Sequence, residues 1–311
     1  MCNKLLSLCI PTYNRADILN ETLTKLVLEP AFILGKVEIC ISDNASTDHT
    51  RTIMNDFSNK YQNIICNYNK ENTIIIDGNF PIVASIATGS FIKFLNDYAS
   101  FFPGELNNLL DFIEYHKNEK PVMFFPNNSI INEEREIIYC DNLDDFVKVA
   151  SYWTTWVLAA GFWKEDYDKI SDRDRSISKF MWCPDNYFRL VSKKKSIIYN
   201  KKIFNMATPK KKGGYNLFNT FGVDYLSMYD EYLINNNIKN VTIRDEKYKL
   251  FRYFLFGWYD TLVLKNKKQF KFGKQNAFKI LLRNYSFNPY FYLGIIYLHF
   301  KHYFSLFTNR S

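Results

Sequence analysis

Polar side chains follow three apolar segments directly in the first hundred residues of the chain. Asn14 comes after LLSLCIPTY, Asp43 and Asn44 come after VEICIS, and Asn96 and Asp97 come after FIKFL. An Asp or Asn at a strand end is often only a turn residue, because its side chain hydrogen-bonds the local backbone. The alternative interpretation of Asp97 is a metal site that retains a single carboxylate.

Alternating strands and helices would hold these polar residues. Four apolar segments predict strands, LLSLCI, KVEICIS, NIICNY and FIKFL, and helices are predicted at 15–28, from STDHT onward and near 79–88. The later apolar runs 121–126 and 196–200 could add strands. This order predicts an α/β fold with a mostly parallel sheet and helices on both faces. Since ligands bind beyond the carboxyl ends of such strands, the polar residues should meet at one binding edge.

The composition is that of a globular protein with a distinct C-terminal region. The 311 residues are 47% hydrophobic and 23% charged, which excludes a disordered chain. The net charge of +8 is unevenly distributed: residues 242–311 hold 13 Lys and Arg against 3 Asp and Glu, and residues 1–241 hold 27 against 29. The two regions therefore face different partners.

Several common kinds of site and targeting segment are excluded or disfavoured by the sequence. No G-x-G-x-x-G or P-loop follows a predicted strand, which argues against ordinary dinucleotide and Walker-type phosphate sites. Six scattered cysteines without a C-x-x-C pair favour reduced thiols. The apolar run at the N-terminus is too short for a signal peptide or a membrane span. We therefore expect a cytoplasmic protein.

Three motifs, in this order, closely resemble glycosyltransferase family 2. They are PTYNR (11–15), ISDNASTDHT (41–50) and ATGSFIKFLND (87–97), and SDNASTD is most similar to bacterial surface-polysaccharide sugar transferases of the abequosyltransferase-like subgroup. The resemblance implies a GT-A fold with a Rossmann-like sheet. It also implies transfer of a sugar from a nucleotide-diphosphate donor to a hydroxyl of a glycan acceptor, expected to be lipid-linked, with inversion by direct displacement.

The resemblance implies a donor site at the strand ends. Thr12 and Tyr13 would line the pocket for the base and ribose, and Asp43 would accept hydrogen bonds from the base. The other predicted donor-binding residues are Pro11, Asn14, Arg15, Asn44, Asp48, Asn96 and Asp97. For Asp48 and the two residues before it, helix capping is an equally open interpretation.

The acidic run departs from the D-x-D pattern of the family, because the chain reads Asn96-Asp97-Tyr98-Ala99. A divalent cation, Mn²⁺ or Mg²⁺, held by Asp97 would offset the charge that develops on the leaving diphosphate. Alternatively, the lysines at 210–212 could clamp the diphosphate instead of a metal, or form a solvated loop. A third interpretation is a degenerate relative that binds nucleotide sugars without catalysis.

The resemblance also implies a catalytic base, Asp185. Family members often carry an E-D dipeptide at the start of a helix, and here Pro184 replaces the first acid while Asp185 keeps the second. Asp185 would take the proton from the acceptor hydroxyl as that oxygen attacks the anomeric carbon. The alternative is that Asp185 is only the N-cap of the helix.

Aromatic residues between the two predicted sites are candidates for acceptor binding. Trp153, Trp156 and Trp163 could stack on sugar rings, because pyranose faces pair well with flat aromatic surfaces. Core packing is the competing interpretation for each of these residues.

The C-terminal region is both basic and aromatic, with 20 aromatic residues in 242–311. Its longest uncharged run, 284–300, is short for a membrane span of about 20 residues. A helix of this composition suits the membrane interface, which would place the protein at the inner face of the cytoplasmic membrane. The competing interpretation is a helical subdomain or a homodimer contact. No nucleic-acid partner is expected, because no known binding module appears. The predicted domains are a catalytic domain, 1–215, and a helical region, 216–311.

Overall fold

A computed structural model describes residues 4–73, 78–127, 130–131, 133–207 and 213–308, with side chains as far as residue 304. The chain forms two compact units, Met1–Thr208 and Pro209–Ser311. The cysteines among the described residues are free thiols, and all except Cys66 are buried.

The N-terminal unit is built on a sheet in which eight strands are described. In chain order the strands of this unit are β1 Leu6–Thr12, β2 Val37–Asp43, β3 Ile64–Tyr68, β4 Phe91–Phe94, β5 Ala99–Phe101, β6 Val122–Phe124, β7 Ile137–Cys140, β8 Ala160–Trp163, β9 Ser196–Tyr199 and β10 Phe204–Met206. The large sheet has the order β3-β2-β1-β4-β8-β6-β9-β7, and β5 pairs separately with β10. The apolar runs at 121–126 and 196–200 are therefore strands, as predicted.

Helices connect and cover these strands. They are α1 Ala16–Leu26, α2 Pro30–Ile33, α3 Thr50–Lys60, α4 Asn79–Ser85, α5 Glu105–Tyr115, α6 Leu143–Ala150, α7 Lys164–Asp168 and α8 Trp182–Val191, with short 3₁₀ turns at Ser151–Thr155, Val157–Ala159 and Ile177–Lys179. In α1 the residues Leu19, Leu23 and Leu26 recur at helical spacing and are fully buried, because this face packs on the sheet.

Strand direction decides which side chains share an edge of the sheet. β1, β2, β3 and β4 are parallel, with β1 between β2 and β4. β8 runs antiparallel to both β4 and β6, so its first residues lie beside the last residues of β4. The predicted α/β class with a mostly parallel sheet is confirmed. Within the large sheet, strands β7 and β8 were not predicted, and neither was the separate pair β5 and β10.

The glycine of the ATG sequence lies at the amino end of the strands, away from the polar residues that follow them. A Cβ on Gly89 would lie 2.8 Å from the backbone nitrogen of Ser7 and 2.9 Å from the carbonyl carbon of Leu6, so only glycine fits against β1. The buried carboxylate of Glu38 accepts hydrogen bonds from the Ser7 hydroxyl at 2.5 Å and the Thr88 amide at 2.6 Å. The ATG part of the motif therefore packs at the amino end of the strands. The candidate ligand-binding residues lie at the opposite edge of the sheet.

The C-terminal unit is mainly helical, as predicted. Its helices are α9 Leu217–Asn219, α10 Tyr229–Ile234, α11 Asn240–Leu250, α12 Phe256–Trp258, α13 Ala277–Tyr285 and α14 Pro289–Thr308, with π-helical segments at Thr220–Tyr225, Phe251–Leu255 and Tyr259–Leu264. Strands β11 Gly213–Asn216 and β12 Lys271–Gly273 form a parallel pair. Its core includes Tyr225, Phe251 and Phe291. None of the helices described in this chain is long and apolar enough to cross a membrane.

Candidate functional site

The side chains of Thr12, Arg15 and Asp97 meet at the carboxyl end of β1. The Thr12 hydroxyl donates to Oδ2 of Asp97 at 2.9 Å, and Nη1 of Arg15 donates to Oδ1 at 2.7 Å. The Thr22 hydroxyl donates to the backbone carbonyl of Asp97. Two residues predicted from the PTYNR motif and one from the end of β4 therefore form one cluster, which we call the Thr12–Arg15–Asp97 cluster.

The cluster combines a buried carboxylate with a partly exposed cation. The side chain of Asp97 is 5% exposed, whereas that of Arg15 is 33% exposed. Burial raises the pKa of the Asp97 carboxyl, although the charge of Arg15 and the hydrogen bond from Thr12 act in the opposite direction. Positive charge is therefore presented to solvent here by the guanidinium, and the carboxylate lies behind it.

Asn14 ties the loop after β1 to the loop after β2. Its backbone amide donates to the Ser46 hydroxyl at 2.8 Å, and its side-chain oxygen accepts from the Thr47 amide at 2.7 Å. Asn14 has a positive φ of 50°, a conformation that asparagine tolerates better than most residues. The PTYN and SDNASTD motifs thus hold each other in place.

Asp48 joins the same pair of loops. Its Oδ2 accepts from the amide of Ala16, the first residue of α1, and its Oδ1 accepts from the amide of Thr50, the first residue of α3. Burial acts to raise the pKa of Asp48, but the hydrogen bonds from Thr50 and Ala16 outweigh it and lower the pKa. α3 begins at Thr50, later than the STDHT sequence suggested, and its N-cap is His49. The Asp48 carboxylate therefore accepts from the starts of both helices.

Asp43 ends β2 directly beside Thr12. The two residues are paired in register, and the Asp43 carboxylate accepts from Nε of Arg51 at 2.7 Å and from the Ser46 amide. Nη2 of Arg51 donates to the carbonyl of Asn69. Asp43 is fully buried in this arrangement, so a nucleobase could reach its carboxylate only after the surrounding loop shifted.

Asn44 organises the segment that follows β3. Its side-chain oxygen accepts from the Thr73 amide at 2.9 Å and from the Asn69 side chain at 3.2 Å. Beneath it, Asn79 on α4 exchanges hydrogen bonds with the side chain and carbonyl of Ser42. The amide side chains of Asn44 and Asn79 therefore supply hydrogen-bond partners for backbone groups at this part of the edge.

The remaining predicted donor residues lie along the same edge. Pro11 is in β1 opposite Ser42, and Tyr13 is 46% exposed just beyond the strand. Asn96 donates to the Tyr98 hydroxyl at 3.0 Å, and the ring of Tyr98 lies 5.3 Å from the Arg15 guanidinium carbon. The aromatic ring supports the guanidinium through a cation–π contact.

As arranged, Asp97 does not fit a divalent cation. Both carboxylate oxygens already bind Thr12 and Arg15, and a guanidinium occupies the position where the cation would have to approach. Among the described residues, no group of three His, Cys, Asp or Glu side chains is placed to hold a metal. The lysines proposed as an alternative clamp, 210–212, lie outside the described residues. Metal binding by Asp97 stays a prediction that this geometry does not favour.

Asp185 lies in the first turn of α8, which begins at Trp182. It is therefore not the N-cap, and its amide already donates to the Met181 carbonyl. The carboxylate receives two hydrogen bonds from Arg175, at 2.7 and 2.9 Å, and one from the Ser176 hydroxyl at 2.9 Å. This bidentate pair fixes the orientation of the carboxylate, and the residue is only 2% exposed.

The start of α8 is anchored beside the end of β4. The ring of Trp182 lies 5.3 Å from that of Phe94, the last residue of β4, and 5.8 Å from that of Phe80. Further along α8, the Tyr187 hydroxyl donates to the Met123 carbonyl of β6 and accepts from the Gly161 amide of β8. These contacts bring the turn that carries Asp185 toward the carboxyl end of β4.

The tryptophans of the predicted acceptor region separate into two groups. Trp163 is a core residue: it is 3% exposed, packs edge-on against Phe91 and donates to the Pro121 carbonyl. Trp153 and Trp156 are half-buried in the 3₁₀ segment that leads into β8. Because β8 starts beside the end of β4, this segment lies at the same edge as the donor residues.

Several residues of the site were not identified from sequence. Arg51, Arg175 and Asn79 each bind a predicted residue or its strand, but arginine and asparagine on a helix or in a loop carry no specific signal. Arg51 follows Asp43 by eight positions, a spacing that a known β2–α3 loop would have made informative.

Comparison with known proteins supports this description. Residues 7–156 match the model of the family described as glycosyl transferase family 2. Abequosyltransferase RfbV of Salmonella typhimurium (strain LT2) is 40% identical over 87 residues, which cover 28% of this chain and 26% of that relative. The chain is therefore matched over only about a quarter of this curated relative.

Solved structures share the fold at low sequence identity. TarS residues 1–349 from S. aureus, in complex with UDP-GlcNAc, has a TM-score of 0.62 at 16% identity and covers 89% of this chain and 81% of its own. The mannosyltransferase PcManGT from Pyrobaculum calidifontis, in complex with GDP-Man and Mn²⁺, has a TM-score of 0.52 at 13% identity and covers 97% and 88%. The predicted resemblance is confirmed over part of the chain: residues 7–156 match the glycosyl transferase family 2 model, and the solved structures share the fold.

Proposed function

We propose that the protein transfers a sugar from a nucleotide-diphosphate donor to a hydroxyl of a glycan acceptor in bacterial surface-polysaccharide or glycoconjugate synthesis. The observation that carries this proposal is the Thr12–Arg15–Asp97 cluster, which joins the ends of β1 and β4 at the binding edge of a family 2 domain. The acceptor we propose is a lipid-linked glycan, which would be used at the inner face of the cytoplasmic membrane.

The donor is proposed to lie along the ends of β1, β2 and β4. Tyr13 is exposed and available to contact the base or ribose, and the partly exposed guanidinium of Arg15 is available to the diphosphate. A guanidinium presents paired N–H donors to phosphate oxygens, so it supplies both charge and orientation. Asp97 would keep Arg15 in position, supported by the ring of Tyr98.

The proposed reaction is one displacement step. The acceptor hydroxyl oxygen bonds to the anomeric carbon, the bond from that carbon to the diphosphate oxygen breaks, and the nucleoside diphosphate leaves with the electron pair. Asp185 accepts the hydroxyl proton, and a carboxylate held by Arg175 and Ser176 is fixed in orientation for that role. Because Asp185 is buried here, the segment around Arg175 must open before the acceptor can reach it.

No step is assigned to a divalent cation. The positive charge beside the leaving group comes from Arg15 in this proposal, because both oxygens of Asp97 are engaged within the chain. Among the structural neighbours, PcManGT was solved in complex with GDP-Man and Mn²⁺.

A panel of nucleotide sugars tests the proposal. UDP-, GDP-, CDP- and dTDP-linked sugars are added singly to the full chain, with Mn²⁺, with Mg²⁺ or with EDTA, and the thermal midpoint is recorded. A ligand at 100 times its Kd stabilises the folded protein by about 2.7 kcal/mol, so a true donor raises the midpoint measurably. We expect one nucleotide class to do so equally with EDTA. No shift with any nucleotide sugar would refute donor binding, and a shift only with Mn²⁺ or Mg²⁺ would restore the metal.

A non-catalytic nucleotide-sugar binder is the second candidate. It is favoured by the departure of Asn96-Asp97-Tyr98 from the acidic D-x-D run. The two candidates differ in product formation: a transferase releases free nucleoside diphosphate when donor and acceptor are both present, and a binder gives the thermal shift alone.

A further inference from the structure

Helix α14 has apolar residues on two sides. Phe291, Ile295 and Leu298 are buried at helical spacing and attach the helix to the C-terminal unit. A second set of apolar residues points outward, at 50–65% exposure, and we call it the outer face of α14: Leu293, Ile296, Tyr297, Phe300 and Phe304. Contiguous exposed apolar surface of this kind marks an interaction site in a soluble unit.

The exposed apolar surface continues beyond α14. Phe287 is fully exposed, and Tyr290 is 68% exposed at the start of the helix. Both residues line a cavity of about 490 Å³ together with Arg244 and Lys247. Basic side chains therefore lie directly beside the aromatic surface.

A second cavity connects the outer face itself to a basic residue. It measures about 340 Å³, and Leu293 and Tyr297 line it together with Arg252. The single acid among the residues that line the two cavities is Asp245. The polar border of the outer face is thus largely cationic.

The charged residues toward the C-terminal end of the sequence are all of one sign. Residues 261–311 contain nine Lys and Arg and no Asp or Glu. A symmetric dimer through this surface would bring like charges together, because an isologous interface pairs a patch with its own copy. The surface is therefore complementary to an anionic partner and not to itself.

We propose that the outer face of α14 docks on an anionic lipid bilayer. Tyrosine and phenylalanine suit the boundary between headgroups and acyl chains, and the arginines and lysine beside them suit anionic headgroups. One side of α14 is packed on its own unit and no described helix is long and apolar enough to cross a membrane, so the outer face would lie in the interface. A single-stranded nucleic acid is a poorer fit for this surface. Its bases would stack on aromatic faces along a groove, whereas these side chains project outward from one helix. The inference goes beyond sugar transfer, since lipid binding is measured without donor or acceptor.

Vesicle flotation with the full chain tests this proposal. Wild-type protein is expected to float with vesicles in which phosphatidylglycerol replaces about a third of the phosphatidylcholine, and to stay behind with vesicles of phosphatidylcholine alone. Raised salt should weaken the binding, because exposed charges are screened.

Two triple variants separate the apolar and the charged contributions. Leu293→Gln with Ile296→Gln and Phe300→Gln should reduce binding to anionic vesicles at least tenfold. Its matched control is Leu28→Gln with Ile33→Gln and Leu34→Gln, which removes equally exposed apolar side chains from the N-terminal unit and should leave binding unchanged.

The charge variant is Arg244→Gln with Lys247→Gln and Arg252→Gln. Each basic residue near an anionic surface changes the affinity about fivefold, so the three together should weaken binding roughly 100-fold. The control with the same change in net charge is Lys25→Gln with Lys36→Gln and Lys70→Gln, all exposed in the N-terminal unit. Circular dichroism confirms that each variant is folded.

Three outcomes would overturn the proposal. Failure of the wild type to float with anionic vesicles would exclude a bilayer partner. A doubled mass in solution that the α14 variant abolishes, without vesicle binding, would make the face a contact between two copies. Retention on single-stranded DNA that exceeds vesicle binding and is lost in the α14 variant would assign it to nucleic acid.

Discussion

Arg15 and Asp97 form an ion pair with a 2.7 Å distance between Nη1 and Oδ1, across 82 positions of sequence. Arg15 belongs to the loop after β1, and Asp97 follows β4. The pair therefore fixes the separation of two strand ends at the binding edge, and it also decides which charge is exposed there.

Arg15→Met is expected to destabilise the protein by about 2 kcal/mol at neutral pH, because it leaves a buried carboxylate without its counter-charge. In this variant the pKa of Asp97 rises further above its unfolded value. A carboxyl with a raised pKa in the folded state contributes stability that is complete at low pH and is lost as pH rises through that pKa. The free energy of unfolding should therefore recover on acidification, as urea titrations would measure.

The double variant Arg15→Met with Asp97→Asn completes a double-mutant cycle with the two single variants. If the two residues interact directly, it should be more stable at neutral pH than Arg15→Met alone, since no buried charge remains. Binding of the nucleotide-sugar donor should be weaker than in the wild type in both variants, because both lack the Arg15 guanidinium. Additive losses of stability would contradict a direct pair.

Asp185→Asn is expected to lower the rate of sugar transfer about 100-fold or more, with little change in the thermal shift caused by the donor. Asparagine has the same shape but takes up no proton at neutral pH. Asp174→Asn is the matched control, because Asp174 lies on the same segment and binds Trp182. A rate near that of the wild type in Asp185→Asn would exclude this residue as the base.

Gly89→Ala is expected to destabilise the N-terminal unit by about 1–3 kcal/mol. The added methyl group would lie within 3 Å of the Ser7 and Leu6 backbone, which cannot withdraw without breaking the sheet. Gly257→Ala provides the contrast, because no atom lies within 4 Å of a Cβ there, and alanine favours a helix. Equal midpoints for both variants in thermal unfolding would argue against the close contact.

Glu38 gives a prediction with a defined direction in pH. Burial acts to raise the pKa of its carboxyl, but hydrogen bonds from Ser7, Thr88 and Gly89 outweigh it and lower the pKa. The resulting stability is present above the ordinary glutamate pKa of about 4.3 and is lost as pH falls through the folded-state value.

Glu38→Gln should therefore cost about 1–3 kcal/mol at neutral pH, because its amide group can satisfy fewer of the facing donors. The difference in the free energy of unfolding between Glu38→Gln and the wild type should narrow as pH falls below about 4.3. Glu71→Gln, at an exposed position, should leave the urea midpoint unchanged. A gap that is constant with pH would show that the Glu38 carboxylate does not hold its charge through these hydrogen bonds.

The fold, and the sheet edge at which the candidate site residues meet, were predictable because strand order determines both. Once β1, β2 and β4 are recognised as parallel, Thr12, Asp43 and Asp97 must emerge on one side of the sheet. Strand β8 was missed because its sequence, AGFW, has the small residues that weaken a strand prediction. It forms because Gly161 allows Phe91 and Phe125 to pack against its backbone.

The partners of the site residues were not predictable, because they depend on how loops are folded. The position of Arg175 opposite Asp185 is set by the turns between α7 and α8, and nothing in the local sequence specifies it. The same holds for Arg15, which was assigned to the donor from its motif, whereas its contact with Asp97 came only from the structure.

Lys93 has a consequence for exchanging the neighbouring 3₁₀ segment between relatives. It is fully buried in β4, and its side-chain nitrogen donates to the carbonyls of Phe94, at 2.9 Å, and of Leu158. The 3₁₀ segment around Trp153 and Trp156 is thereby attached to β4, the strand that ends at the proposed donor site. A chimera that imports residues 151–159 from another protein must also reproduce this lysine attachment, or the transplanted segment will shift relative to the end of β4.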